Sequence, residues 1–169
     1  MNLHVEADTD LTTVIEKIKE QISAAIRIRY IDSTRPWGGF LVIEEEDIEV
    51  FLYQFFPQLN KENLGSAKLS PKILIVEPGK KLSWQYHHRR AEIWKVIGGQ
   101  VGVITSMSDA QGDKQVLQTG EVIELKKGER HRLIGLEGWG IVAEVWKHTD
   151  QNNPSDENDI VRLDDDFGR

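Results

Sequence analysis

The sequence contains no cysteine, which excludes disulfide bonds and thiolate chemistry. It also has no apolar run near the roughly 20 residues that a membrane-spanning helix requires. Basic residues are in deficit: 21 Lys and Arg stand against 28 Asp and Glu, giving a formal net charge of −7. We therefore expect neither a nucleic-acid partner nor a membrane partner. The acidic, polar N-terminus "MNLHVEADTD" is unlike a signal peptide, and we expect a cytoplasmic protein.

One helix is predicted near the start of the chain, over residues 11–29. Leu11 and four isoleucines recur there at steps of three and four, which is helical spacing. Asp8 or Asp10 is placed to cap its N-terminus. After the turn "RPWGG", short apolar runs such as "KILIVE", "EIWKVI" and "GIVAEVW" alternate with Gly-containing turns. Many short strands with regular turns predict an all-β sandwich or barrel.

Two segments interrupt this rhythm. Residues 44–70 are acidic, then aromatic, then polar, and their aromatic part "FLYQFF" is expected to pack on the barrel or on a partner. The chain after residue 148 is acidic and resembles a loop. The predicted organisation is a helical segment over 1–34, a barrel over 35–150 and a tail over 151–169 that packs on it.

Four polar side chains form a candidate metal site. If "LSWQYH" is a strand, Gln85 and His87 share one face, whereas His88 has the opposite parity. Glu92 is placed to face the same space from the next strand, and His131 begins a later strand. Such a set of nitrogen and oxygen donors suits one divalent metal. The alternative is a solvated strand edge.

The spacing of these residues matches a known pattern. Residues 79–99 follow the first cupin motif, which is Gly, five residues, His-x-His, four residues, Glu, six residues and Gly, with Gln85 in place of the first His. Residues 120–131 follow the second, which is Gly, five residues, Pro-x-Gly, two residues and His, with Lys126 in place of Pro. The chain resembles a cupin, which implies an all-β double-stranded β-helix, or jelly-roll barrel, behind the N-terminal helix.

One cupin branch is especially similar. "RPWG", "LSWQYHHRRAEIW", "HRL" and "ENDIVRLDDDFGR" resemble the mannose-6-phosphate isomerase domain at the C-terminus of bifunctional mannose-1-phosphate guanylyltransferase/isomerases. The resemblance implies interconversion of mannose 6-phosphate and fructose 6-phosphate, but no guanylyl transfer. It also implies zinc, or else Mn, Fe, Co or Ni, held by Gln85, His87, Glu92 and His131. A homodimer is expected because cupin barrels often pair.

Arg90 and Lys72 are the candidate catalytic residues, because they match basic positions of that family. A surface salt-bridge pair of Arg89 with Arg90, and an exposed lysine at a strand end, are the alternatives. Ile93, Arg89 and Lys126 depart from the family pattern, and the first two are expected beside the site. Two rival functions stay open: an isomerase or epimerase acting on another sugar, and a non-catalytic sugar- or metal-binding cupin.

Five further residues have weaker expectations. Arg132 should point out of the barrel in a structural role, and Trp37 should pack rather than line a sugar pocket. Arg162 and Arg169 are expected to tie the tail to the barrel through nearby acidic partners. His148 has no partner pattern and is expected at the surface.

Overall fold

The computed structural model of the protein describes residues 3–59, 64–65 and 67–169. Its helical elements are α1 (Leu11–Gln21), a 3-10 helix (Glu45–Asp47) and α2 (Ile48–Phe55). Its strands are β1 (Ile28–Arg35), β2 (Gly38–Ile43), β3 (Leu69–Val76), β4 (Trp84–Tyr86), β5 (Arg90–Gly98), β6 (Gln100–Ser106), β7 (Gln115–Gln118), β8 (Val122–Leu125), β9 (Arg130–Gly135), β10 (Gly140–His148) and β11 (Val161–Asp164). None of the helices in these ranges is long and apolar enough to cross a membrane.

The strands form two sheets with antiparallel pairing. The larger sheet has six strands in the order β1-β2-β3-β10-β5-β8, and the smaller has five in the order β11-β4-β9-β6-β7. Side chains alternate between the two faces of the larger sheet along its central strands β3, β10 and β5. Each of these strands therefore contributes both to the space between the two sheets and to the space under the helices. The predicted all-β cupin barrel with an N-terminal helix is confirmed.

Two apolar clusters cover the two faces of the larger sheet. One lies between this sheet and the helices, and it includes Ile73, Ile93 and Phe51. The other lies between the two sheets, where Leu74 and Trp94 are among its members. Apolar packing therefore holds the helices outside the barrel and leaves the barrel interior to a mixed apolar and polar set.

Helix α1 is shorter than the sequence predicts. Asp10 caps it, because its carboxylate accepts the backbone N–H of Thr13 at 3.0 Å. The helix ends at Gln21, although the isoleucine spacing continues to residue 26. Residues 28–35, most of which fall inside the predicted helical segment 1–34, form β1 and pair with β2. Tertiary strand pairing overrides the local helical periodicity at this point.

The 44–70 segment contains the 3-10 helix, α2 and the start of β3. Phe51, Phe55 and Phe56 are buried against the barrel, as predicted for the aromatic part. Tyr53 lies on the other face of α2 and is 83% exposed. Residues 60–63 and 66 lie outside the described residues. The aromatic residues thus attach α2 to the outer face of the larger sheet.

The tail also differs from the predicted loop. Residues Val161–Asp164 form β11, which pairs antiparallel with β4. Val161 lies opposite Tyr86, and Arg162 lies opposite Gln85. The tail therefore reaches the strand that carries one of the predicted metal ligands.

Candidate metal centre

Three buried side chains form a group that could bind a metal ion. His87 follows β4, Glu92 lies on β5 and His131 lies on β9, and each is 3% exposed or less. One ligand atom from each residue lies within 4.8 Å of the others. The Nε2 atom of His87 is 3.3 Å from Glu92 Oε1, and that of His131 is 3.5 Å from Glu92 Oε2.

The backbone sets the tautomers of both histidines. His87 Nδ1 lies 2.5 Å from the carbonyl oxygen of Asp159, and His131 Nδ1 lies 2.9 Å from that of Glu129. A carbonyl oxygen only accepts, so each Nδ1 donates and each Nε2 presents a lone pair towards Glu92. The buried Nε2 of His131 has no hydrogen-bond partner in the described part of the chain. This is the arrangement of a metal-ligating histidine, and these donors fit a divalent metal.

Burial keeps His87 neutral. It lowers the pKa of the imidazole to about 4, although the Glu92 carboxylate acts in the opposite direction. Burial also favours the neutral form of Glu92, but Arg90, His87 and His131 together outweigh this effect and hold the pKa of Glu92 below its usual range. At neutral pH the pair therefore offers a neutral imidazole and an ionised carboxylate.

Arg90 is buried beside this group rather than exposed in a surface pair. Its Nε donates to Glu92 Oε1 at 2.7 Å, and its Nη2 donates to His87 Nε2 at 3.0 Å. Its Nη1 donates to Ser155 Oγ at 2.9 Å. The guanidinium carbon lies 3.5 Å from the ring centroid of Trp146. Arg90 is thus fixed in one orientation against two of the three side chains that could bind a metal.

Gln85 and Lys72 also lie in the barrel interior. Gln85 is opposite His131 in the β4–β9 pairing, and its Oε1 accepts from Ser83 Oγ at 2.6 Å. Lys72 is 5% exposed, which excludes the exposed strand-end alternative. Its ammonium forms an ion pair with Glu157 and lies 3.6 Å from the ring centroid of Trp146. As predicted, His88 is turned away and exposed.

Lys72, Gln85, Arg90 and Glu92 line one open cavity. Its empty volume, including the space at its open mouth, is about 620 Å³. Its walls comprise Arg35, Trp37, Phe40, Lys72, Leu74, Leu82, Ser83, Gln85, Arg90, Glu92, Trp94, Glu144, Trp146, Glu157, Ile160, Arg162 and Arg169. Trp37 both packs near Phe40 and lines the cavity.

Comparison with known proteins identifies the family. The sequence profile of the mannose-6-phosphate isomerase C-terminal family matches residues 26–165. The chain belongs to this family. It is 28% identical over 166 residues to a mannose-1-phosphate guanylyltransferase of Escherichia coli, covering 96% of this chain and 29% of that protein. It is 27% identical over 162 residues to a xanthan biosynthesis protein of Xanthomonas campestris, covering 92% of this chain and 28% of that protein.

The chain therefore spans less than a third of the length of these relatives. Among solved structures, an oxalate decarboxylase of Bacillus subtilis has a TM-score of 0.56 at 16% identity, covering 79% of this chain and 30% of that one. A tomato vicilin has a TM-score of 0.53 at 23% identity, covering 80% and 33%. These two similarities support the cupin fold alone.

The departures from the family pattern lie away from the cavity. Ile93 is on the opposite face of β5 from Glu92 and packs in the cluster under the helices. Arg89 donates to Asn153 Oδ1 at 2.7 Å outside the cavity. The expectation that these two residues lie beside the site is wrong, because strand alternation points Ile93 outwards and the tail engages Arg89.

Glu144 is a cavity residue that the sequence reasoning missed. It lies on β10 between Lys72 of β3 and Trp94 of β5. The indole N–H of Trp94 donates to Glu144 Oε1 at 2.9 Å and to Glu92 Oε2 at 3.1 Å. Burial, reinforced by the Glu92 charge, raises the pKa of Glu144 to about 8. The sequence contains one indication of this residue's role, a single carboxylate inside the apolar run "GIVAEVW".

The tail holds the turn that carries His87. The Asp159 carboxylate accepts the backbone N–H groups of His88 and Arg89, each at 3.0 Å. It also accepts from Ser155 Oγ at 2.6 Å. The same residue's carbonyl contacts His87 Nδ1, so one tail residue fixes both the turn and the ligand tautomer.

Two weaker expectations are wrong, and one is met in part. His148 is 3% exposed, because its Nδ1 accepts from the backbone N–H of Ser155 and its Nε2 contacts Ser70 Oγ. Arg162 makes no ion pair among the described residues and lines the cavity instead. Arg132 is buried, but it serves a structural contact, donating to the Asp164 carboxylate at 2.9 Å.

Proposed function

We propose that the chain is a metal-dependent sugar-phosphate isomerase, with mannose 6-phosphate and fructose 6-phosphate as the leading substrate pair. The observation that carries the proposal is one cavity lined by Glu92 of the His-Glu-His group, by the buried carboxyl of Glu144 and by the two buried cations Arg90 and Lys72. Membership of the mannose-6-phosphate isomerase C-terminal family supports the choice of substrate.

His87, Glu92 and His131 would hold the metal, with Gln85 as the fourth ligand and zinc as the leading ion. When bound, a divalent metal supplies a Lewis acid that stabilises negative charge on a substrate oxygen. Only one of the four ligands carries a charge, so the site keeps net positive charge. Trp94 and the backbone carbonyls orient the ligands.

Glu144 is the proposed proton carrier. Interconversion of an aldose and a ketose removes a proton from one carbon and returns it to its neighbour, so it needs a group with a pKa near the working pH. Glu144 has a raised pKa and faces the cavity from the middle of β10. Its bond from Trp94 limits the carboxyl to one orientation, which suits repeated transfer between adjacent carbons.

We propose that Arg90 contacts the substrate in addition to its hydrogen bond with Glu92. Its guanidinium is always charged, lines the cavity and is held from behind by Ser155 and by the Trp146 ring. A fixed donor beside the reacting oxygens stabilises charge that develops there without reorganisation.

Incubation of the zinc-loaded chain with mannose 6-phosphate in D₂O tests the proposal. We expect fructose 6-phosphate to form, with deuterium entering at the exchanged carbon, and we expect Glu144→Gln to reduce turnover about 100-fold or more. The chelated protein is the control. If other aldoses or their phosphates react instead, the substrate assignment is wrong. If a sugar binds and nothing turns over, the chain is a sugar-binding cupin.

A further inference from the structure

We propose that Arg35, Lys72, Arg162 and Arg169 form a phosphate subsite at the cavity mouth, and that the Glu157 carboxylate occupies it until the phosphate displaces it. This inference rests on the proposed function only for the identity of the sugar that carries the phosphate. The placement and the charge of the four residues are independent of that identity.

The cavity is positive although the chain is negative. Five cations line it, against the three carboxylates Glu92, Glu144 and Glu157, whereas the whole chain carries a formal charge of −7. The raised pKa of Glu144 removes most of its negative charge at neutral pH. A concave surface of one sign focuses the field and selects an oppositely charged ligand.

Four of these cations come from separate parts of the chain. Arg35 ends β1, Lys72 lies on β3, Arg162 lies on β11 and Arg169 ends the tail. Assembling like charges costs free energy that nearby carboxylates offset only in part. Arg35 pairs with Asp32 at 2.8 Å.

Arg162 is the cation in this group with least compensation. Arg169 has its own partner, the Asp165 carboxylate at 2.9 Å, whereas Arg162 has no ion pair within the described ranges. Partial burial and the charges of Arg169 and Arg35 lower the pKa of Arg162, although Asp165 and Glu157 act in the opposite direction. A bound dianion would reverse that unfavourable field and give the guanidinium a bidentate acceptor.

Glu157 marks where the anion would sit. Its side chain is 58% exposed, whereas that of its partner Lys72 is 6% exposed. The carboxylate can therefore return to water at little cost, but the ammonium cannot. A phosphate carries more charge and three acceptor oxygens, so it is the stronger partner for Lys72 and can contact Arg162 at the same time.

Titration of the full chain with inorganic phosphate, in sulfate-free buffer with chelator, tests the subsite by calorimetry. We expect Arg162→Gln to weaken phosphate binding about tenfold, because one charge-assisted contact is lost. Glu157→Gln should tighten binding several-fold by removing the internal competitor. Arg29→Gln and Glu124→Gln make the same charge changes at exposed strand positions outside the cavity and should leave affinity unchanged.

Competition identifies the source of the phosphate. Mannose 6-phosphate should displace inorganic phosphate, whereas mannose should not. If Arg162→Gln and Glu157→Gln behave as their controls do, or if either change has the opposite sign, the subsite is wrong. Phosphate binding as expected without sugar-phosphate turnover would leave the subsite standing and reject the proposed isomerase. Turnover of the sugar phosphate with an unchanged KM in Arg162→Gln would leave the proposed isomerase standing and reject the subsite.

Discussion

Arg90 Nε lies 2.7 Å from Glu92 Oε1, and both side chains are buried in the barrel. The same guanidinium donates to His87 Nε2 at 3.0 Å, and that nitrogen accepts with the lone pair that a metal would also use. Arg90 therefore neutralises the buried carboxylate and competes for one ligand atom. Its side chain links the charge balance of the barrel to the metal centre.

Replacing Arg90 should expose this link. Arg90→Gln leaves Glu92 as a buried charge without its cation, which typically costs about 3–5 kcal/mol. We expect the chelated variant to melt about 6–20 °C below the chelated wild type. Zinc should then raise the Tm of the variant more than that of the wild type. Arg89→Gln, which changes a neighbouring arginine outside the cavity, is the control. Equal zinc-induced shifts in wild type and Arg90→Gln would contradict the competition.

The raised pKa of Glu144 predicts a pH effect on stability. Between its usual pKa of 4.5 and its folded value of about 8, the folded state holds a proton that the unfolded state has released. The unfolding free energy therefore falls as pH rises through this window. We expect Glu144→Gln to lose this dependence, so its stability relative to chelated wild type should increase from pH 5 to pH 8. Parallel curves for the two proteins in urea unfolding would show that Glu144 titrates normally.

Asp159 should control metal affinity without touching the metal. Its carboxylate holds the backbone N–H groups of His88 and Arg89, and its carbonyl contacts His87 Nδ1. Loss of a group that orients a ligand typically costs about 10–100-fold in metal affinity. We expect Asp159→Asn to weaken zinc binding by about tenfold in a chelator competition assay. Asp166→Asn, which alters an exposed tail carboxylate, should bind zinc as the wild type does. Unchanged affinity in Asp159→Asn would show that the tail does not orient His87 for metal binding.

Much of the site was predictable because motif spacing reports strand alternation directly. The placement of Gln85, His87, Glu92 and His131 in one barrel interior follows from period-two geometry and two Gly turns. Glu144 was hidden because a single carboxylate in an apolar run carries no periodic signal. Its role depends on neighbours from β3 and β5 that are distant in sequence.

The errors share a physical cause. The helical spacing of residues 11–29 is real, but residues 28–35 gain more by pairing with β2 than by extending α1. His148 is buried through Ser70, a contact that spans 78 residues. Long-range pairing of this kind leaves no trace in local composition, and the same holds for the pairing of β11 with β4.

Metal content after dialysis shows whether His87 and His131 bind a metal ion. Purified wild type, His87→Gln, His131→Gln and His88→Gln are loaded with zinc, dialysed and measured by mass spectrometry of the metal, with circular dichroism confirming the fold. We expect one equivalent per chain in wild type and in His88→Gln, and little or none in His87→Gln and His131→Gln. A full equivalent retained in both His87→Gln and His131→Gln would contradict the metal centre.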